Sequence, residues 1–356
     1  MKSVIRYPAF GVFLTLSLGS VAFAQSPSAP DVVHFVSSGA FPSPLANHDI
    51  TSAIGAFTEV EKKFHTKIDV NDMANGPTAM AALLGGSVDF LVTSGNAFSR
   101  AAVQGQPVVA VMMLSQGFTG TMIAPKKLES RGTGLAALKK WNGGTWGVAS
   151  VGGIAEFGAR RAAEDAGLTW TDQNVVYTGS SQASAAGVAA ERLDIGGPDD
   201  WTSATVVAND QAFVVINLSD LKGDTDWDKM IGWVLAVRKE TAEKYPDLTK
   251  AMVEAELKGL LRSQQLKHNA PAALALYTNE GKNVSPKAFA IYWALNVPSY
   301  ESVTGFITPA AMQASTGILR ALNAIKPDQE LPPQAFDNSF VQAAYKDLNL
   351  PLPKSE

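Results

Sequence analysis

The chain has 356 residues, 46% hydrophobic and 17% charged, the balance of a folded core rather than of a disordered segment. A formal charge of −4 with thinly spread Lys and Arg excludes a nucleic-acid footprint. The absence of cysteine excludes disulfides, a lipid-modified N-terminal Cys, Cys-zinc sites and a thiol nucleophile.

Lys2 and Arg6 precede an apolar run from Phe10 to Phe23, and Ala22-Phe23-Ala24 puts small residues at both positions a signal peptidase reads. The run is shorter than the ~20 residues that span a bilayer. It therefore predicts a secretory signal over residues 1–24, cut after Ala24. Cleavage leaves 356 − 24 = 332 residues with a charge of −4 − 2 = −6, enough for two domains. No later stretch is apolar for long enough to cross a membrane, so the expected product is soluble and periplasmic.

From Asp31 onward short apolar strands alternate with helices. Asp31–Val36 predicts a strand that runs into the Pro- and Gly-bearing loop Ser37–Pro44. In Asp49–His65 the residues Ile50, Ala53, Ile54, Phe57, Val60 and Phe64 fall at helical spacing, predicting one amphipathic helix. Strands follow at Lys67–Val70, Val88–Thr93 and Pro107–Leu114, with helices at Asn75–Gly86 and Asn96–Gln104 between them. Further helices are expected at Leu135–Trp141, Ile154–Ala166 and Ala183–Glu191, and strands at Thr145–Ala149, Asn174–Tyr177, Asp194–Gly196 and Phe213–Leu218. After Lys239 the pattern turns helical: Pro246–Lys267, Ala270–Thr278, Pro286–Asn296 and Pro309–Ala324 each carry proline near the start. The proline-rich tail from Lys326 is expected to wrap back over the surface.

One unit occurs twice. Asn75–Gly95 reads as loop, helix, glycine turn and strand, and Gly179–Ile195 repeats it, with Ala79, Leu83, Val88 and Asp89 answered by Ser184, Val188, Leu193 and Asp194. The offset is constant, since 184 − 79 and 194 − 89 both give 105. A second echo pairs Thr119–Lys127 with Ile231–Lys239 and marks two crossings between lobes. The fold class expected is therefore α/β: two doubly wound lobes, lobe I from residues 31–126 and 239–356 and lobe II from 127–238, with a helical C-terminal extension. The Asn75–Gly95 segment is not a phosphate loop, because it lacks the lysine such a loop requires.

Ala82-Leu-Leu-Gly-Gly-Ser-Val-Asp89, Gly105-Gln-Pro-Val-Val-Ala-Val111, Gly147-Val-Ala-Ser150, Ala166-Gly-Leu168 and Glu243-Lys-Tyr-Pro-Asp-Leu248, in that order, resemble the periplasmic solute-binding proteins of the nitrate/sulfonate/taurine-type ABC importers. Thiamine-pyrimidine precursor synthases share that fold. The resemblance runs from about residue 32 to about residue 265. It implies a type II periplasmic-binding (venus-flytrap) fold that closes on one small-molecule ligand as a monomer and then docks on a membrane permease with its ATPase. Open α/β sheets bind ligands beyond the carboxyl ends of their strands, which agrees with a site between the lobes.

Helix starts offer unpaired N–H groups and partial positive charge. Gly76, Thr78, Ser94, Asn96, Ser150, Gly152, Gly153, Ser180 and Ser181 sit at such starts, as ligand contacts or as plain helix caps. Ser38, Gly39, Phe41 and Pro42 follow the first strand, where the resemblance implies a ligand loop; Phe41 is either a wall for a carbon skeleton or a core plug. Gln116 follows the fourth strand, as a ligand donor or a solvated side chain. Asp199 and Trp201 lie just past a strand end in Asp199-Asp-Trp201, which suits an amine, a ring N–H or an aromatic face, or else a helix N-cap. These acids speak against a fully charged sulfonate, which would call for arginine; Arg100, Arg160, Arg161 and Arg192 lie inside helices.

No cofactor is expected. His34, His48, His65 and His268 are too scattered for a metal site, and the serines near Ser150 and Ser180 lack the frame of a nucleophile elbow. The leading expectation is thus a binding protein without catalysis. An enzyme on the same fold and a ligand sensor for a membrane kinase stand as the alternatives.

Overall fold

The computed structural model describes residues 29–39, 46–197, 199–221, 226–277 and 283–353; the expected signal sequence, Phe41 and Pro42 lie outside them. In chain order the strands are β1 (Val32–Ser37), β2 (Lys67–Asp72), β3 (Phe90–Ser94), β4 (Val108–Gln116), β5 (Thr121–Pro125), β6 (Thr145–Val148), β7 (Asn174–Tyr177), β8 (Ile195–Gly197), β9 (Ala212–Asn217) and β10 (Ile231–Arg238). They form two sheets, ordered β2-β1-β3-β10-β4 and β7-β6-β8-β5-β9. In each sheet the first three strands are parallel, and the fourth, β10 or β5, runs antiparallel to both its neighbours.

The helices are α1 (Ala46–Ala53), α2 (Ala56–Phe64), α3 (Gly76–Leu84), α4 (Gly95–Val103), α5 (Ile154–Asp165), α6 (Ser181–Ala189) and α7 (Asp200–Ala208), followed by α8 (Lys239–Lys244), α9 (Pro246–Gln265), α10 (Ala270–Leu274), α11 (Pro286–Tyr300), α12 (Pro309–Ala321) and α13 (Ser339–Asp347). The single helix expected over Asp49–His65 is two, because Gly55 adopts φ 74° between α1 and α2, a left-handed turn that ends one helix and starts the next. Leu135–Trp141 forms a 3₁₀ helix. The tail from Lys326 is more than a surface wrap: Asp337 donates to the Ala110 carbonyl at 3.0 Å, and α13 buries Val341, Ala344 and Tyr345 in the first core.

The expected lobe boundaries shift. β5 was expected to end the first lobe and β10 to end the second, yet β5 hydrogen-bonds in the second sheet and β10 in the first. The ladder partners decide membership, and each strand joins the sheet that the chain is entering. Crossings therefore lie between Gln116 and Thr121 and between Asn217 and Ile231. Nor does the C-terminal extension stay in one lobe: α12 contributes Ile318, Leu319 and Leu322 to the core built on Trp141, Trp146 and Leu138, while Ala311 joins the other.

The internal repeat is realised atom by atom. Asn75 caps α3 by accepting from Thr78 N, and Ser180, 105 residues on, caps α6 by accepting from Ala183 N. Asp89 accepts the His34 N–H at 2.9 Å, and Asp194 accepts the Thr145 N–H at 2.9 Å, so each carboxylate ties its turn to the neighbouring strand. Leu83 and Val188 both have 0% exposure, as do Ala79 and Ser184. β3 and β8 accordingly occupy the same central place in their sheets.

Under the first sheet α1 and α9 share a buried ion pair: His48 Nδ1 lies 2.8 Å from Glu256 Oε1, and Thr51 donates to Oε2 at 3.1 Å. Burial pulls the imidazole pKa down, but the charge and hydrogen bond of Glu256, with the charges of Asp49 and Asp72, together hold it above its ordinary value. His48→Leu leaves Glu256 buried without its cation and is expected to cost about 3–5 kcal/mol in urea unfolding. His48→Leu combined with Glu256→Leu should recover part of that loss, because no lone charge then remains.

Candidate functional site

The carboxyl ends of both sheets open onto one cleft. It encloses about 740 Å³ of space, counting the part open to solvent. The first lobe contributes Ser38 and Gly39 after β1, Asn75 and Gly76 before α3, and Ser94 at the end of β3. From the second come Ala149 and Ser150 after β6, Gly153–Ala155 at the start of α5, Ser181 and Gln182 at the start of α6, and Gly197, Asp199 and Asp200 where β8 passes into α7. Thr119 and Gly120 of the first crossing and Trp233 of β10 complete the wall; the Trp233 indole N–H donates to Thr119 Oγ1 at 2.6 Å, tying the two crossings together.

Eight of the residues expected at the site line this cavity: Ser38, Gly39, Gly76, Ser94, Ser150, Gly153, Ser181 and Asp199. The others do different things. Thr78 is exposed on α3 and its N–H is used by the Asn75 cap, while Ser180 is the α6 cap. Gln116 closes β4 opposite Ile231. Asn96 is buried and donates through Nδ2 to the Gly152 carbonyl at 3.0 Å, so this pair joins the lobes rather than facing the cavity. Gly152 takes φ 70°, a left-handed backbone that favours glycine, and lies against the Arg100 guanidinium of α4. Trp201 packs edge-on against Tyr292 at 5.7 Å and borders a separate groove between α6 and α7.

Helix starts at the cleft are of two kinds. α3, α6 and α7 have side-chain caps from Asn75, Ser180 and Asp199, whereas α4 and α5, beginning after Ser94 and Gly153, have none. Of these two, α5 starts in the cavity wall, where Gly153, Ile154 and Ala155 line it, whereas α4 adds only its cap residue Ser94. Asp199 is both cap and cavity wall: Oδ1 accepts from Thr202 N at 2.8 Å and Thr202 Oγ1 at 3.0 Å. Burial raises its pKa against the pull of the Thr202, Ser181 and Trp201 donors.

Asp200, Thr119, Gly120 and Trp233 were not among the expected site residues. Asp200 carried a signal in its neighbour; Trp233 carried none, since it sits in an ordinary buried strand and reaches the cleft only because β10 crosses. Asp200 is 1% exposed, and its oxygens accept from Thr121 Oγ1 at 2.6 Å and from Asn296 Nδ2 of α11 at 2.8 Å. Burial pushes this carboxyl up to about 7; the Thr121 hydroxyl opposes the rise and the charge of Asp199 adds to it.

The sign of that shift gives a prediction. The folded chain holds the Asp200 proton more tightly than the unfolded chain does, so this group lowers stability as pH rises from about 4 to about 7. The full effect is on the order of 4 kcal/mol by the pKa difference. Asp200→Asn should flatten the fall in melting temperature between pH 5 and pH 8; equal slopes in both proteins would rule out the shifted carboxyl.

Several solved structures share this fold. The alkanesulfonate-binding protein SsuA from Xanthomonas axonopodis pv. citri, bound to MOPS, superposes with a TM-score of 0.69 at 16% identity, covering 87% of this chain and 99% of that one. The periplasmic nitrate-binding protein NrtA from Synechocystis PCC 6803 gives 0.68 at 11% identity, covering 91% of each. The ligand-binding component of an ABC-type import system from Staphylococcus aureus gives 0.67 at 14%, covering 88% and 99%. No curated protein sequence matches the chain. The NMT1/THI5-like family model matches residues 51–265, which is 265 − 51 + 1 = 215 of the 356 positions and takes in every strand except β1. The chain belongs to the NMT1/THI5-like family.

Proposed function

We propose that the protein is the periplasmic substrate-binding component of an ABC importer for a small polar organic solute, of the sulfonate, taurine, nitrate or carboxylate/heterocycle class. The observation that carries this reading is the single cavity lined by the strand ends of both sheets, at the two chain crossings. A solute held there touches both lobes at once, so binding stabilises the closed arrangement over the open one. The neighbouring folds named for sulfonate, nitrate and ABC-type import support the same role.

In this reading residues 1–24 direct export and are removed, the mature chain works as a monomer, and its partners are the solute, a permease and an ATPase. N-terminal sequencing of protein recovered from a periplasmic extract should begin at Gln25; an intact Met1 there would count against export by this signal.

Thermal shift against sulfonates, taurine, nitrate, aromatic carboxylates and pyrimidines tests the binding role. A ligand present at about a hundred times its dissociation constant should add about 2.7 kcal/mol of stability. Small-angle scattering should show the radius of gyration fall with the same compound. Silence from the whole panel in both measurements sinks the reading.

A further inference from the structure

The lobes touch on two flanks of the cleft, and the two contacts are unequal. In the second sheet α5 joins β6 to the edge strand β7, and α7 joins β8 to the opposite edge strand β9. Right-handed connections running to opposite edges place the two helices on opposite faces of the sheet. Each face carries a contact with the first lobe.

On the α7 face the contact runs the length of the helix. Asp200, at its start, accepts from Asn296 Nδ2 of α11 at 2.8 Å, and the carbonyl of Ala208, at its end, accepts from Lys287 Nζ of α11 at 2.7 Å. Between them Trp201 stands edge-on to Tyr292, and Ala204, with 0% exposure, is buried in the first lobe's core. Separating α7 from α11 would hydrate this apolar surface and strip the buried Asp200 of a partner.

On the α5 face the contact is one turn of α4 against one glycine. Asn96 Nδ2 donates to the Gly152 carbonyl at 3.0 Å, and the Arg100 guanidinium, one turn on, lies against Gly152. Phe98, Ala101 and Ala102 anchor α4 in the first core. The second lobe braces the glycine, whose N–H donates to Glu156 Oε2, while the Tyr177 hydroxyl donates to Glu156 Oε1 at 2.6 Å. Each half of the contact thus belongs firmly to its own lobe. Asn96 Oδ1, though buried, has no partner among the described residues, and parting the lobes would admit water to it. Closure here gains one hydrogen bond and orphans one acceptor, a near balance. Ser94, two residues before Asn96, and Ser150, two before Gly152, both line the cavity, so this contact stands at its wall.

We infer that Asn96 and Gly152 form a latch: the lobes part on the α4–α5 flank and swing about the α7–α11 contact, which stays packed while solute enters or leaves. The inference rests on the solute-receptor reading and states how its cavity opens, and its test uses no solute.

The chain has no cysteine, so introduced cysteine pairs carry spin labels at chosen sites alone. Val151 with Gln104 spans the latch flank, and Asn209 with His268 spans the α7–α11 flank; all four are exposed. Pulsed electron–electron double resonance then gives both distances in ligand-free protein, with and without Asn96→Asp. That change keeps the side chain's size, puts a carboxylate in the first turn of α4, where a helix favours one, and sets an oxygen against the Gly152 carbonyl oxygen. The fraction of molecules with a longer Val151–Gln104 distance should rise about fivefold or more, the worth of one hydrogen bond, while the Asn209–His268 distances stay as they were. Arg100→Ala, which leaves the helix start alone, should raise the same fraction less, and it decides the matter by the same readout if Asn96→Asp does not fold. A longer Val151–Gln104 distance that already predominates without substitution, no change in that distance, or Asn209–His268 distances that lengthen in step would each overturn the latch. The receptor reading stands or falls separately, by thermal shift with solutes.

Discussion

Everything at the cleft depends on the exchange of one antiparallel strand between the two sheets. β10 lies between β3 and β4 although more than a hundred residues separate it from either, and β5 lies between β8 and β9 although it follows directly from β4. Because ladder hydrogen bonds hold both strands inside their sheets, the chain after β4 meets the chain before β10, where Gly117 N–H donates to the Met230 carbonyl at 2.8 Å. Thr119, Gly120 and Leu218 line the cavity at this place, and Trp233 of β10 donates to Thr119 Oγ1 there. Strand ends of both sheets are thereby aimed at one space.

Duplication then supplies matched surfaces, and divergence between the copies supplies chemistry. Caps at Asn75 and Ser180, turn carboxylates at Asp89 and Asp194, and left-handed residues Gly86 and Glu191 all keep the 105-residue offset, so they belong to the scaffold. Where the copies differ, at Ser94-Gly95 against Asp199-Asp200, the second copy adds a side-chain cap from Asp199 on α7 and a buried carboxyl at Asp200 that accepts from Thr121 and Asn296.

The C-terminal helices give that divergence its support. α11 packs on α7 and brings Asn296 to the buried Asp200, while α12 spans both cores. Below them the His48–Glu256 pair fixes α1 against α9. Buried polar groups such as these cost desolvation, and in each case a specific partner offsets it.

Local pattern alone determined the alternation of strand and helix, the prolines that open α9 to α12, and the repeat that predicts two lobes, because each is written in neighbouring residues or in a fixed offset. It also pointed to eight cavity residues, since strand ends and helix starts are local features. The break at Gly55 was hidden because the apolar period runs straight through it, and only the left-handed backbone ends the helix. Tertiary structure decided which sheet owns β5 and β10, because a strand's ladder partners lie far away in the chain. It moved Asn96 and Gly152 from the cavity to the lobe contact, and it brought Trp233 and Asp200 to the wall. Both of those side chains owe their position to partners, Thr119, Thr121 and Asn296, that no spacing in the sequence connects to them.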